Sequence, residues 1–588
     1  MAITEEQRTR NETAERDEQR HEQKYRRRWA ILAILSVSLL VIIVDDTIVN
    51  VAIPTLQREL GASTTALQWI VDAYILAFAG LLLTMGTLGD RFGRRRFLQL
   101  GLVVFAAASV FGAYSASASQ LIAARALMGV GGALIMPSTL SVLIDVFPRG
   151  ERVKAIGIWT GVASLGIPIG PIVGGWLLEH FWWGSAFLLN VPIAAGALAA
   201  GWMLIPESRH PAPPRPDLPG LALSVVALTS LVYGIIEAPS HGWTSATVLG
   251  SLGLAIVSGA AFVALERRAR EPMLDLRLFQ NPRLGWGTAA IGLAFLALSG
   301  LTFELTQYLQ FVQRYSPLQA GLRVLPIALG FGIAGPLSQR VVPRIGTARP
   351  VAGALGLVAL VLVGLSSLDP GTSYWLLAPA LFLFGLGLGT ALVPSTDAVM
   401  AAVPQANAGL GSAINDAGRQ IGAALGIGVL GALANAGYTS GIADALSPLG
   451  PSGAAVAERS VGAALHITNG LGGSTGESLR RAADAAFMDG FASAMLGGAA
   501  LLAAGAVMVL RWLPSNDVRA GSEPAPEQPP IERRTAEASL MVRPTMCRVL
   551  SATRSIRLRR TWMLSIPSRH KGVRRDEARP DPATPCPT

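Results

Sequence analysis

The sequence predicts an all-α polytopic membrane protein with fourteen transmembrane helices arranged as six, two and six. Three observations predict it. The chain is 51% hydrophobic and only 15% charged, with a mean hydropathy of +0.46; an ordinary soluble domain carries about 25% charged residues. Apolar runs of about 20 residues recur along it, the length that crosses a bilayer as helix, whereas a closed barrel would show short alternating segments. Between the second and third runs lies Met85–Leu98, a turn crowded with Arg91, Arg94, Arg95 and Arg96. Clustered arginine beside a span marks the cytoplasmic face.

Taken in order, residues 1–28 form a densely charged cytoplasmic tail, expected to lack fixed structure. The first apolar run is too long for a cleavable signal, so none is expected. The spans fall at 29–53, 67–89, 97–115, 120–146, 154–177, 184–205, 218–238, 246–265, 286–308, 318–340, 349–367, 374–401, 409–433 and 489–513. With the N-terminus inside, most loop Lys and Arg fall on the cytoplasmic side. Both termini are therefore expected in the cytoplasm of a multi-pass cell (inner) membrane protein. Proline-rich breaks at 206–217 and 271–282 isolate spans seven and eight. The domain reading is a six-helix half at 29–205, a linker with two extra membrane helices at 206–285, and a second six-helix half at 286–513. Gly335-Pro-Leu337-Ser-Gln-Arg340 echoes Gly86-Thr-Leu88-Gly-Asp-Arg91 at the matching hairpin of the second half. Paired halves with a site between them are the usual build of secondary transporters.

The 434–488 stretch is rich in Gly, Ala and Ser. It is expected to be an extracellular loop with little fixed structure beyond a short amphipathic helix near 478–488. Residues 514–588 carry 14 Lys/Arg against 8 Asp/Glu and hold both cysteines, Cys547 and Cys586. A disordered basic cytoplasmic tail is expected, either without a role of its own or tethering to anionic lipid. No disulfide framework or cysteine metal site falls in the membrane part. The loop arginines serve topology and the tail lacks aromatic interleaving, so nucleic acid is not expected as a partner.

Charge inside a span is costly, so each case needs a reason. The first span holds Asp45-Asp46-Thr47, then Asn50 and Pro54; the fourth holds Leu121, Arg125, Met128, Gly129, Gly131 and Gly132. Adjacent carboxylates in a low dielectric cannot both ionise easily. At 1.5 Å per residue, Asp45 lies roughly 24 Å from the inner face and Arg125 roughly 22 Å, so the two can meet. The expectation is that Arg125 pairs with Asp45 or Asp46 and that protonation breaks the pair. In the fifth span, Gly166, Gly170 and Gly174 share one face, a small-residue stripe for tight contact; Pro168 and Pro171 bend the helix. Glu304, Gln307 and Gln310 give the ninth span a polar face, read as facing a cavity. Asp397 is in the inner half of the twelfth. Asp416 and Arg419 stand at i, i+3, either neutralising each other or touching substrate. Asp72 and Asp145 read as hydrated end residues. Trp69, Tyr74, Tyr308 and Phe311 either line a cavity or belong to the interfacial belt.

These motifs carry a family resemblance. Gly86-x-Leu88-x-Asp90-Arg91-x-Gly93-Arg94-Arg95 resembles the signature loop of the major facilitator superfamily. Asp45, Thr47, Asn50 and Pro54 resemble the first-helix motif of its fourteen-helix drug:proton antiporters, with Asp46 as an additional carboxylate. Arg125 takes the place of the fourth-helix arginine implicated there in proton coupling; Met128 stands where the family often has Gln. Gly166-x-x-x-Gly170-Pro171-x-x-Gly174-Gly175 is similar to the family's antiporter motif, found in exporters rather than importers. The resemblance covers about residues 29–513 and implies the major facilitator fold. It also implies proton-driven export of amphipathic, often cationic drugs by alternating access. Proton coupling would fall to Asp45, Asp46 and Arg125, and gating to Gly86, Asp90, Arg91, Gly93, Arg94 and the Gly166–Gly175 motif. Asn50, Glu304, Gln307, Asp397, Asp416 and Arg419 would be candidates for a substrate cavity. No phosphate loop is present and the only lysines are Lys24, Lys154 and Lys571. The energy source is therefore expected to be the proton gradient, with no cofactor, no metal and no enzymatic activity, in a protein acting as a monomer. Two other readings stay open: a dedicated exporter of one metabolite (antibiotic, siderophore or lipid), and a non-transporting membrane sensor.

Overall fold

The structure, a computed structural model, describes residues 2–209, 217–269, 272, 274, 276–403, 408–458, 460–471 and 473–514. The basic tail expected beyond residue 514 and the centre of the 206–217 break lie outside these residues. Helices fill the described chain: α1 (Ala2–Leu60), α2 (Thr64–Phe92), α3 (Arg94–Ala113), α4 (Ala118–Val146), α5 (Arg149–His180), α6 (Asn190–Leu204), α7 (Leu218–His241), α8 (Ala246–Glu266), α9 (Pro282–Gln307), α10 (Leu325–Ile345), α11 (Ala348–Leu365), α12 (Tyr374–Ala401), α13 (Ala408–Ile442) and α14 (Gly473–Trp512). Each expected span has its helix. Among the described residues, thirteen helical segments are long and apolar enough to cross a membrane, and α5 occupies the remaining expected position.

Local chemistry sets the helix starts. Ser63, Ser117 and Ser245 accept backbone N–H bonds from Ala66, Gln120 and Val248, capping α2, α4 and α8. Asp217 caps α7 through Gly220 N, and Asn281 caps α9 ahead of Pro282. A capping box of Ser316 and Gln319 opens the short helix Pro317–Arg323 that leads into α10.

The two halves pack alike. In the first, α1 packs on α5, α2 on α4, α3 on α4 and α3 on α6; in the second, α9 packs on α13, α10 on α12, α11 on α12 and α11 on α14. The pairs correspond one for one, which gives the weak sequence echo at Gly335 its structural counterpart. The halves meet through α1 with α9, α2 with α13, and α5 with the segment Pro317–Arg323. Among the described residues, hydrogen bonds that join them run from Gln68 Nε2 to Ile427 O at 3.1 Å, from Gln310 Nε2 to Val51 O at 2.8 Å, and from Ser316 Oγ to Glu179 Oε2 at 3.0 Å. All three lie toward the end of the molecule opposite the Arg91–Arg96 hairpin. The extra helix α7 packs on both α2 and α13. Trp69 Nε1 donates to Glu237 at 3.4 Å and its ring sits 5.9 Å from Tyr233. Helix α8 is apolar yet only 11% of its most apolar window is buried, so its surface suits lipid and not water.

Two expectations are corrected. Residues 2–28 continue α1 as helix, and the spacing of Glu6 with Arg10, Glu12 with Arg16 and Glu22 with Arg26 is the i, i+4 pattern that supports one. The 434–488 stretch is also helical: α13 runs to Ile442, helices follow at Gly450–Ala457 and Val461–Leu471, and α14 starts at Gly473. Its small residues serve packing. A side chain at Gly437 would meet Gly490 Cα at 2.6 Å, and one at Gly441 would meet Ala486 at 3.1 Å, so α13 and α14 touch backbone to backbone where a flexible loop was expected.

Candidate functional site

The site is built where α1, α2, α3, α4 and α6 converge. Arg125 has no exposed surface, and Asp45 is 1% exposed. Arg125 Nη1 donates to Asp45 Oδ2 at 2.5 Å and Nε donates to Ile70 O at 3.2 Å. The guanidinium carbon stands 4.2 Å from the centre of the Tyr74 ring, a cation–π contact in a desolvated setting. Nη2 has no hydrogen-bond partner among the described residues. Glycines bring the arginine into reach. A Cβ on Gly129, one turn along α4, would collide with Tyr74 O, and one on Gly132 would lie 2.8 Å from Phe78, so α4 lies directly against α2. Met128 is fully buried in the apolar core.

The other face of Asp45 meets α6. Asn190, without exposed surface, donates Nδ2–H to Asp45 Oδ1 at 2.6 Å and to Ser109 Oγ at 3.3 Å. Asp46, one residue on, points about 100° round the helix and is half-buried. Asn50 donates to the Asp46 backbone carbonyl at 3.0 Å, and its own Oδ1 has no partner among the described residues.

The glycine stripe of α5 clamps the same stretch of α1. A Cβ on Gly166 would lie 2.8 Å from Ile43, one on Gly170 would overlap Thr47 Oγ1, and one on Gly174 would lie 3.0 Å from Ile48. Thr47 Oγ1 donates to Ile43 O at 2.9 Å and reaches Gly166 O at 3.3 Å. Farther along, Gly175 admits Leu318, whose Cα would lie 2.6 Å from a Cβ there, and Gly321 sits against Pro171 O. One stripe thus contacts both halves.

At the hairpin, Arg94 Nε donates to Asp90 at 2.7 Å and Arg94 Nη1 to Ser141 O at 3.4 Å. Gly93 has φ +127°, and a Cβ there would lie 2.6 Å from Glu207, so the turn needs glycine. Gly86 faces Pro137 at 3.3 Å. Arg91 is exposed and lies 5.8 Å from the Phe92 ring. Glu207 accepts from Arg95 N at 3.3 Å and stands 3.5 Å from Arg96, tying the segment after α6 to the start of α3.

The remaining candidates sit apart, on α9, α12 and α13. Glu304 and Gln307 are 1% and 2% exposed; Gln307 donates to Phe303 O, and Glu304 Oε1 has no partner among the described residues. They are enclosed, not lining an open cavity. Asp397 is exposed. Asp416 and Arg419 stand 3.9 Å apart, with the guanidinium 5.5 Å from Phe295. Asp72 is not a hydrated end residue: it is fully buried, and neither carboxylate oxygen has a hydrogen-bond partner among the described residues. Tyr74, Tyr308 and Phe311 are core residues, not cavity lining or belt.

Sequence reasoning missed Asn190, Ser109 and Glu207. Asn190 carried a usable signal: it lies six residues into the sixth span, counted from the same side that puts Arg125 five residues into the fourth. Equal depth and a polar side chain in an apolar run point to one place.

Residues 35–427 match the family model described as Major Facilitator Superfamily. The chain is a member of that superfamily. Among curated proteins it is similar to the multidrug efflux pump LfrA of Mycolicibacterium smegmatis, 37% identical over 82% of this chain and 96% of that one. It is 34% identical to the tetracenomycin C resistance and export protein of Streptomyces glaucescens, over 87% and 95% of the two chains. It is 35% identical to the methyl viologen resistance protein SmvA of Salmonella typhimurium, over 79% and 93%. Among solved structures, a bacterial homologue of the human lysosomal transporter Spinster shares the fold, with a TM-score of 0.60, 18% identity and coverage of 84% and 99%. The POT family transporter PepTSo shares it at 0.55, with 14% identity and coverage of 82% and 98%. The protein is a multi-pass membrane transporter of the drug-efflux branch of the major facilitator superfamily.

Proposed function

We propose that this major facilitator protein exports small amphipathic compounds, cationic ones among them, in exchange for protons taken up at Asp45. The buried Asp45–Arg125 pair carries this reading. A carboxylate enclosed with one arginine, one amide and one aromatic face can change charge only by gaining or losing a proton, and that change alters its bond to Arg125. Arg125 has a second bond to Ile70 O on α2, so the proton's arrival bears on the packing of α1, α2 and α4 together. The hairpin end is the cytoplasmic end, both termini lie there, and the halves meet at the outer end. The reading needs neither cofactor nor catalysis of a covalent reaction, and the working unit is one chain.

Names of relatives support a broad substrate range, since LfrA is a multidrug pump and SmvA a methyl viologen resistance protein. A second reading, a dedicated exporter, is favoured by the tetracenomycin C export protein. Growth of a pump-deficient bacterial host expressing the protein separates them, using a panel of cationic dyes, methyl viologen and neutral antibiotics. Raised tolerance to several unrelated cations supports the broad reading. Tolerance confined to one scaffold supports the dedicated exporter. No raised tolerance, with the protein present in the membrane, counts against both.

A further inference from the structure

Asp45 is served from two sides that differ in kind. Arg125 offers only donors. Asn190 offers a donor and an acceptor on one planar group that has no exposed surface. Its Nδ2 donates both to Asp45 Oδ1 at 2.6 Å and to Ser109 Oγ at 3.3 Å, and its Oδ1 has no partner among the described residues. The other titratable groups nearby are Asp46 on α1 and Tyr74 on α2, beneath the guanidinium.

A proton on the oxygen of Asp45 that faces Arg125 would set two donors head to head. A proton on Oδ1 meets the same opposition from the amide as it now lies. Turning the Asn190 amide by half a rotation removes it. The amide oxygen then accepts from the carboxylic O–H, and the Ser109 hydroxyl, able to donate as well as accept, turns to donate to the same oxygen. Arg125 keeps a donor bond to the other Asp45 oxygen, now a carbonyl and no longer a carboxylate. The terminal torsion of asparagine is broad and two-fold, so both orientations are accessible. In each, one end of the amide is satisfied twice and the other is left without a partner, so neither state is favoured on that count.

We propose that Asn190, guided by Ser109, is the positioning residue that follows the proton on Asp45, donating to the carboxylate and accepting from the acid. The inference rests on Asp45 being the proton site, and its test reads that premise separately. The experiment is pH-jump infrared difference spectroscopy on the full-length protein in liposomes, with Asp45→Asn, Asn190→Leu, Asn190→Gln and Ser109→Ala. A carboxylic C=O band present in the wild type and missing in Asp45→Asn reports the proton on Asp45. The expected result is that this band appears together with a change in the side-chain amide band that Asn190→Leu abolishes. The carboxylic band moves in Asn190→Leu and in Ser109→Ala, and Asn190→Gln restores it toward the wild type. Because both protonation states lose a partner in Asn190→Leu, the pH of half-amplitude changes by less than about one unit, a tenfold factor in proton affinity. An unmoved Asp45 band in Asn190→Leu overturns the role of Asn190. So does a pH midpoint raised by a full unit or more without an amide change, which would make Asn190 a carboxylate donor only. If Asn190→Leu does not fold, the same band in Ser109→Ala and Asn190→Gln decides. Absence of any Asp45→Asn-sensitive band in the wild type counts against the proton site itself, and the inference falls with it.

Discussion

Arg125 sits in a place with no water to fall back on. Its charge is balanced by Asp45, its Nε–H by Ile70 O, and its face by Tyr74. Removing one partner of such a pair leaves a buried charge uncompensated, at a cost of about 3–5 kcal/mol, whereas removing both is far milder. Arg125→Met should therefore lower the thermal unfolding temperature of the purified protein markedly, and Asp45→Asn combined with Arg125→Met should recover most of that loss. Arg125→Lys keeps the charge but cannot fork between Asp45 and Ile70 O, so it should retain the fold and lose most transport. Equal destabilisation by the single and double variants in a thermal melt would show that the two side chains are not coupled. Much of this cluster was legible beforehand, because charge inside an apolar run is conspicuous and helical rise fixes depth: Asp45 and Arg125 come out level. Asn190 was overlooked because a lone neutral amide in a span carries no comparable penalty. Asp72 stands near a helix end, which in sequence implies hydration, while the packing of α7 and α13 on α2 is invisible from sequence.

The glycines of α5 are not equivalent, and the differences are those of neighbours. Gly170 faces Thr47 and the Val44 carbonyl, with 3.0 Å between a built Cβ and Val44 O, while a Cβ on Gly161 would meet nothing within 4 Å among the described residues. Gly170→Ala should push α1 from α5, costing roughly 1–3 kcal/mol as overpacking does, and should depress transport several-fold. Gly161→Ala should leave both unchanged or slightly raise stability. Unfolding temperature and initial efflux rate of the two variants, measured side by side, check this; similar behaviour would mean the stripe does not seat α1. The motif's spacing announced a packed face from the sequence. Which glycines are in contact was not legible, since that depends on how far α5 diverges from its neighbours along its length. The same limit explains the 434–488 stretch, where Gly and Ala looked like loop composition and are instead the contact surfaces of α13 and α14.

In the whole molecule, two similarly packed halves are joined, among the described residues, by hydrogen bonds from Gln68, Gln310 and Ser316 toward the end opposite the Arg91–Arg96 hairpin. Alternating access requires those contacts to part. In a background of Cys547→Ser and Cys586→Ser, a short bifunctional cross-linker between Ser316→Cys and Glu179→Cys should halt efflux, and a cleavable linker should restore it on reduction. Full transport with the link in place would mean that this end does not open. The order of six, two and six helices followed from apolar lengths and proline breaks. The seating of α7 across α2 and α13 did not, because sequence order says nothing about which seam an inserted pair will occupy.

On the proposed function, export is driven by a proton taken up at Asp45. The most direct measurement is dye efflux from proteoliposomes under an imposed proton gradient, comparing the wild type with Asp45→Asn. Gradient-dependent efflux is expected in the wild type, abolished by a protonophore, and is expected to be lost in Asp45→Asn while dye binding persists. Gradient-driven efflux at an undiminished rate in Asp45→Asn would contradict it and move the coupling carboxylate elsewhere in the chain.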